Sequence, residues 1–469
     1  MTFGEQLEEF FKQIFESFKT HWYYWLGAIL FIIVWYFALW KDALAVIATI
    51  YLGKWAFTLW MHYIRQDFIS GIDYALLEIV PPRDVLRSPK AMELFITNAF
   101  YHFSNKGGRE EYWQGAVWFW YSLEIASIEG QVHFYIRTPT RLKDYIETQM
   151  YAQFPQAQVK VVEDYTLAVD HINEHSEWRA WGCEFGLEKA EAYPLKTYVD
   201  YGLDKDPKEE YKIDPISPVV EFLGSLGKGE QGWIQIVITP SKKVWKTDGT
   251  WFGKHDWVEE SKVQITKLLA PYSAYKEVKT VEEIGVGRSR IEVRVPPTLD
   301  DTVKKMRAKV SKLGFETGIR IVYVAKKENY SMNNRRNIRM MFRQYSDPNS
   351  NSLKRINSAQ GDALSGNNSW LGLSEKQVMV LADRMVHEYR ERGFYHLPMR
   401  HHLFSEHNFS WLGMTLTKPF WLPYFHHSTF VLNVEELATM WHFPGQILKV
   451  PTLERIESKE ASPPTNLPI

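Results

Sequence analysis

The sequence predicts an α+β protein, an N-terminal transmembrane helical hairpin followed by tandem ferredoxin-like (β-α-β-β-α-β) modules. Three observations carry this expectation. Residues 21–40 form an apolar run without Asp, Glu, Lys or Arg. Residues 73–164 read strand, helix, strand, strand, helix, strand. Residues 175–330 repeat that alternation more loosely.

Composition sets the bounds. The chain has 469 residues, enough for two or three domains, and 45% hydrophobic with 24% charged residues fits a folded globular chain. Lys plus Arg is 55 against 56 for Asp plus Glu, so no global charge draws the protein to nucleic acid. One cysteine, Cys183, rules out an internal disulfide framework and a Cys-based zinc site, and suits a reducing cytosol. Aromatic residues make up 15%, with 19 Trp, and part of this excess sits in the first 65 residues, where such rings mark membrane interfaces.

In residues 1–20, Phe3, Phe10, Phe11, Ile14, Phe15 and Phe18 fall mostly on one helical face, which predicts an interfacial amphipathic helix. The membrane segment is 21–66. Twenty apolar residues at 21–40 span roughly 30 Å as a helix, which matches a bilayer core. A second span is expected at 43–64, joined through Lys41-Asp42, although Lys54 sits mid-span and must snorkel to avoid a cost of a few kcal/mol; the alternative is one span plus an amphipathic helix. Arg65, Arg83, Arg87 and Lys90 follow, so the positive-inside rule places the bulk of the chain in the cytoplasm of a cell membrane.

The first module is expected at 73–165. Its strands fall at 73–80, 117–128, 131–139 and 158–164, its helices at 88–103 and 142–154, and Glu129-Gly130 turns a hairpin. Ser88-Pro89 reads as a helix start. The second module, 175–330, has expected strands at 178–187, 195–201, 232–240, 290–297 and 318–327, with helices at 216–227, 256–270 and 300–314. The remainder, 331–469, reads as helical and irregular, with a mobile polar loop at 346–369 and a Pro-rich tail.

Two features there bear on function. Arg335, Arg336, Arg339 and Arg343 interleave with apolar residues; a phosphate-binding patch is weighed against a solvated amphipathic face, and the solvated face is favoured. Eight histidines lie between 387 and 442: His387, His396, His401, His402, His407, His426, His427 and His442. The pairs His401-His402 and His426-His427 are the candidate metal ligands, but adjacent residues on regular structure point apart, which favours polar packing.

Catalytic motifs fail in detail. Residues 224–232, GSLGKGEQG, lack the glycine spacing and the Ser/Thr of a P-loop. GVGRSR at 285–290 precedes a predicted strand, not a helix, so a dinucleotide fold does not follow. His387-Glu388 is not continued as H-E-x-x-H. No cofactor and no catalytic residue is assigned.

Several stretches resemble one family. They are LLEIVPPRDVLRSPKAMELFI (76–96), DPISPVVEFLGSLGKGEQGWIQIVITP (214–240), FETGIRIVYVAKKENY (315–330), LNVEELATMWHFPG (432–445) and ESKEASPPTNLP (457–468). The resemblance is to the membrane-anchored accessory region ahead of the motor domain in type IV secretion and conjugation-like ATPases of ultra-small bacteria. In that family a P-loop domain follows the Pro-rich stretch, whereas this sequence ends at Ile469. The resemblance implies a non-enzymatic scaffold or adaptor that self-assembles as those motors do and meets nucleic acid only indirectly; either it docks a P-loop ATPase on a separate chain or it is a stand-alone relative. The alternative expectation is a metal-dependent enzyme using the His-rich region 387–442.

Overall fold

Alternation along the central strands gives the sheet one largely apolar face and one face with a row of polar residues. The computed structural model describes residues 22–36, 40–82, 87–101, 106–204, 213–241, 256–273, 296–358, 375–396, 409–411, 414–416 and 429–445. They fall into two compact units, Met1–Phe68 with Gly108–Ala116, and Ile69–Gly107 with Val117–Ile469. The expected interfacial helix 1–20, the strand at 290–295, loop residues 359–369 and the Pro-rich tail lie outside the described residues.

In the first unit, α1 spans Trp22–Tyr36 and α2 begins at Trp40 and runs 31 residues to Ser70, about 46 Å. Lys41–Ser70 is long and apolar enough to cross a membrane, and only 6% of its most apolar window is buried. Lys41 and Asp42 lie inside α2, which corrects the expected link at that dipeptide. Asp42 sits in the first turn, where its charge complements the helix N-terminus. A short helix at Gly108–Tyr112, later in the chain, belongs to this unit; Trp60 Nε1 donates to the Tyr112 carbonyl at 3.1 Å, and Trp60 packs edge-on against Trp113.

The second unit is built on an antiparallel sheet of nine strands among the described residues. They are β1 (Tyr74–Val80), β2 (Tyr121–Ile128), β3 (Gln131–Pro139), β4 (Gln158–Val162), β5 (Trp178–Leu187), β6 (Glu230–Pro240), β7 (Gly314–Lys326), β8 (Leu353–Ser358) and, as the ninth, the strand Phe430–Asn433. The order is β4-β1-β3-β2-β6-β7-β5-β8. Counted within each half, both β4-β1-β3-β2 and β8-β5-β7-β6 run fourth, first, third, second, and the halves meet where β2 pairs with β6. Strand Phe430–Asn433 pairs with residues 314–317 of β7, and β5 with 319–326, so the two share β7 end to end.

The apolar face is two ladders of side chains. Leu77, Ile136, Leu123, Ile236, Ile319 and Phe185 stand in one cross-strand row; Ile79, Phe134, Ile125, Ile234, Ile321 and Cys183 stand in the next. All are at most 3% exposed, so this row pair is the centre of the core. Helices Pro89–Phe100 and Lys143–Gln153 cover the first half on this side. Helix Ser217–Gly224 and the capped helix Val434–Met440 bury their apolar residues in the same core. The Glu129-Gly130 hairpin is present, with both residues at positive φ as a tight two-residue turn requires.

Two further expectations are corrected. Residues 195–201 form turns, not a strand. Their amides are taken locally and by side chains distant in sequence: Leu195 N–H donates to Glu436 at 2.7 Å, Thr197 N–H to Asp200 at 3.0 Å and Tyr198 N–H to Thr439 at 2.9 Å, which leaves no ladder to build. The loop expected at 346–369 contains β8, which zips onto β5, and Asn351 anchors the approach through donors to three backbone carbonyls.

Helix Glu375–Glu391 lies on the other face of the sheet, against β5 and β7. Gly182 makes room for it: a Cβ there would lie 2.5 Å from Met385 Cγ and 2.9 Å from the Ile321 carbonyl. Gly182→Ala therefore lowers stability by about 1–3 kcal/mol, read as an earlier midpoint in denaturant unfolding of the detergent-solubilised chain.

Candidate functional site

Under helix Glu375–Glu391 the sheet carries polar residues where a core would ordinarily be apolar. The register pairs Lys160 with Glu78, Glu78 with Tyr135, Tyr135 with Glu124, and Glu124 with Gln235. It continues from Gln235 to Arg320, Arg320 to Glu184, and Glu184 to Asn357. One row of polar side chains thus crosses all eight strands from β4 to β8. Locally five of its members are polar residues between apolar neighbours: Leu77-Glu78-Ile79, Leu123-Glu124-Ile125, Ile234-Gln235-Ile236, Ile319-Arg320-Ile321 and Cys183-Glu184-Phe185. Period two sends the neighbours to the apolar face and the polar residue to the other.

Glu124, Glu184, Gln235 and Arg320 are fully buried. A buried charge is tolerated only when paired and hydrogen-bonded. Arg320 Nε donates to Glu184 Oε1 at 3.0 Å, its Nη2 donates to the same oxygen, and its Nη1 donates to the Glu388 carbonyl at 2.7 Å and to Gln235 Oε1 at 3.3 Å. Asn357 donates to the second Glu184 oxygen at 2.6 Å. The Phe394 ring lies 4.4 Å from the guanidinium carbon of Arg320.

Glu124 is the second centre. It accepts from Ser122 at 2.6 Å, Tyr165 at 2.8 Å, Gln235 at 3.2 Å and the Arg392 fork at 2.9 and 3.2 Å. Arg392 also donates to both oxygens of Asp164. This arginine ends helix Glu375–Glu391 in the left-handed region, φ 50°, a conformation costing a non-glycine residue about 1–2 kcal/mol. That geometry swings its guanidinium down onto two carboxylates. Tyr389 accompanies it: its hydroxyl meets that of Tyr165 at 2.7 Å, and its carbonyl accepts from Gln235 at 2.9 Å.

The electrostatics fix the protonation states. Burial disfavours the Arg392 cation, but Glu124 and Asp164 outweigh it and hold the group well above its ordinary value. Burial likewise pushes Asp164 up, and the Arg392 and Thr166 hydrogen bonds bring it below the usual carboxylate range. Burial, reinforced by the Glu124 charge, raises the phenols of Tyr165 and Tyr389 well above the ordinary value, so both remain protonated. The arrangement is a fixed ion-pair lattice that locks a helix to a sheet.

A second lattice lies among the helices. Lys309 and Glu436 are both buried and pair at 3.1 Å, while Lys312 bridges Glu93 and Glu435, each at 2.7 Å. Asn433 and Glu436 complete a reciprocal cap at the start of helix Val434–Met440.

The sequence-predicted residues are not brought together. Arg335 and Arg336 are on the helix Met332–Ile338, Arg339 caps it and Arg343 follows; Arg336 and Arg343 are exposed, and Arg335 bonds the Tyr330 hydroxyl. His401, His402, His407, His426 and His427 lie outside the described residues. His387 faces Glu391 at 2.9 Å on its own helix, whereas His442 is buried and bridges Asp214 at 2.9 Å and the Ala438 carbonyl at 2.9 Å. Among the described residues no three His, Cys, Asp or Glu side chains form a metal-sized cluster. In the P-loop-like segment, Glu230 occupies the Gly227 amide at 2.8 Å and also receives the Tyr323 hydroxyl.

Fold and site define an α+β protein with one large antiparallel sheet and a charged row whose central members are buried beside a helix. Residues 119–452 match the family described as domain of unknown function (DUF8128), and the chain belongs to it. The matched span holds every member of the row except Glu78. No curated protein matches the chain.

Removing one partner strands the other charge. Arg320→Met and Arg392→Met should each lower stability by about 3–5 kcal/mol, and Arg320→Met/Glu184→Met should cost less than Arg320→Met alone, measured by a denaturant double-mutant cycle. The pH dependence has a set sign. The folded value of Asp164 lies below its unfolded one, so its contribution is complete above the ordinary value of about 4 and lost as pH falls through the lowered one. Asp164→Asn should therefore flatten the acid limb of a Tm-against-pH curve below about pH 4 and leave its neutral-to-alkaline shape unchanged.

Proposed function

We propose that this chain is a membrane-anchored, non-enzymatic scaffold whose soluble part stands on the cytoplasmic face of a cell membrane. The observation that carries the reading is α2, an apolar helix long enough to span a bilayer and almost wholly exposed. Its apolar side chains, such as Leu44 at 63%, Ile47 at 61% and Leu52 at 64% exposed, call for a lipid environment. The positive residues Arg65, Arg87 and Lys90 support the cytoplasmic side. The charged row supports a structural role, because its acids are engaged with arginines, amides and phenols of the same chain.

The repeated strand order supports reading the sheet as two ferredoxin-like modules joined edge to edge through β2 and β6, with helices Trp257–Ser273 and Pro297–Val310 inserted in the second. The resemblance of 214–240, 315–330 and 432–445 to accessory regions of type IV secretion and conjugation-like ATPases supports a partner: a P-loop ATPase docked by this scaffold. Purification of the tagged full chain from membranes should retrieve such an ATPase, and the isolated chain should show no ATP turnover. Robust turnover by the isolated chain would sink the reading.

A further inference from the structure

One arginine on the polar face is left out of the ion-pair lattice. Arg137 stands in β3 opposite Leu76 and Ser122, one step along from the row. Its guanidinium carbon lies 3.7 Å from the centre of the Tyr74 ring. Among the described residues no carboxylate forms an ion pair with it and its N–H donors meet no acceptor. Glu124 and Asp164, the acids that act on it, are already forked by Arg392. Burial, with the repulsion of Arg392, pulls the Arg137 guanidinium down to about 10.

Two more donors are orphaned beside it. Trp120 is 5% exposed and its Nε1–H has no partner; the buried Tyr74 hydroxyl has none either. The two rings are 6.1 Å apart. Trp120, directly before β2, shares the face of Ser122 and Glu124, and Tyr74 shares that of Glu78, so the three side chains gather at one end of β1, β3 and β2. Tyr395 and His396 pack over Trp120, with ring centres at 6.3 and 6.5 Å. Leaving a buried donor unmade costs about 1–3 kcal/mol, and more for a charged one. Two buried donors without acceptors, beside a half-buried guanidinium and with no acid among the three, select an acceptor-rich anion.

We propose that Arg137, Trp120 and Tyr74 form a binding site for a phosphate-type oxyanion. A guanidinium offers two parallel donors to such a group, and the indole and phenol supply further donors from adjacent strands. The phosphate can belong to a lipid headgroup, since Tyr74 follows the end of α2 at Ser70 by four residues, or to a free phosphate compound. The recognition chemistry is the same.

The test uses the full chain in detergent micelles and in nanodiscs. Melting is followed against inorganic phosphate, with chloride at matched ionic strength as control, and separately in phosphatidylcholine discs with and without phosphatidic acid. The expected result is a saturable rise in Tm with one or both phosphate sources, weakened at least about tenfold in apparent affinity by Arg137→Gln and also reduced by Trp120→Phe. A response confined to the phosphatidic acid discs assigns the headgroup, and one confined to micelles assigns a soluble ligand. If Arg137→Gln does not fold, Trp120→Phe carries the comparison. No response to either source, or variants that respond as the wild type does, would overturn the proposal.

Discussion

A carboxylate buried in a sheet must find its counter-charge within the same few ångströms, and Glu124 imposes that condition on this molecule. It lies at the seam between the two halves of the sheet and is fully buried. Its oxygens take donors from its own strand, from the neighbouring strand, from the segment after β4 and from the residue that ends helix Glu375–Glu391. Four parts of the chain are thereby placed by one group. The positive φ of Arg392 and the close approach at Gly182 both follow from bringing that helix within reach of the acid.

Desolvated ion pairs add little net stability compared with a well-packed apolar alternative, yet they penalise misplacement heavily. A row of Glu, Gln, Arg and Glu across β2, β6, β7 and β5 reads differently if any strand slips by one residue. Slippage would drive charges onto the apolar face and isoleucines onto the row. The lattice also opposes slips by two residues, which keep isoleucines on the apolar face but take the acids and arginines out of their row.

Much of the first half was legible in the sequence. β1 to β4 and their helices lie within a few residues of the expected positions, because alternation, the Glu129-Gly130 turn and the Ser88-Pro89 start are local signals. The site was not read. In a single strand, Leu123-Glu124-Ile125 looks like a half-exposed strand with Glu124 facing water. Only the recurrence of apolar-polar-apolar triplets in five strands signals that the polar side is also covered. Residues 195–201 failed for a related reason: their amides are claimed by Glu436 and Thr439, more than two hundred positions away, and local propensity carries no trace of that. The histidine-rich region stands out by composition alone, and the described members are engaged separately, His387 with Glu391, His396 with the Trp120 ring and His442 with Asp214.

The seam between β2 and β6 has a consequence for how the protein can be divided. A chain of two modules ordinarily invites separation at the connecting segment. Here eight residue pairs of main-chain ladder join the halves, and Gln235 of one hands its amide to Glu124 of the other. Severing them would bare a long buried strand on each fragment, the kind of border that recruits other chains. Two-part architecture in this protein does not amount to separability: the repeat is a matter of topology, and the folding unit is the whole sheet.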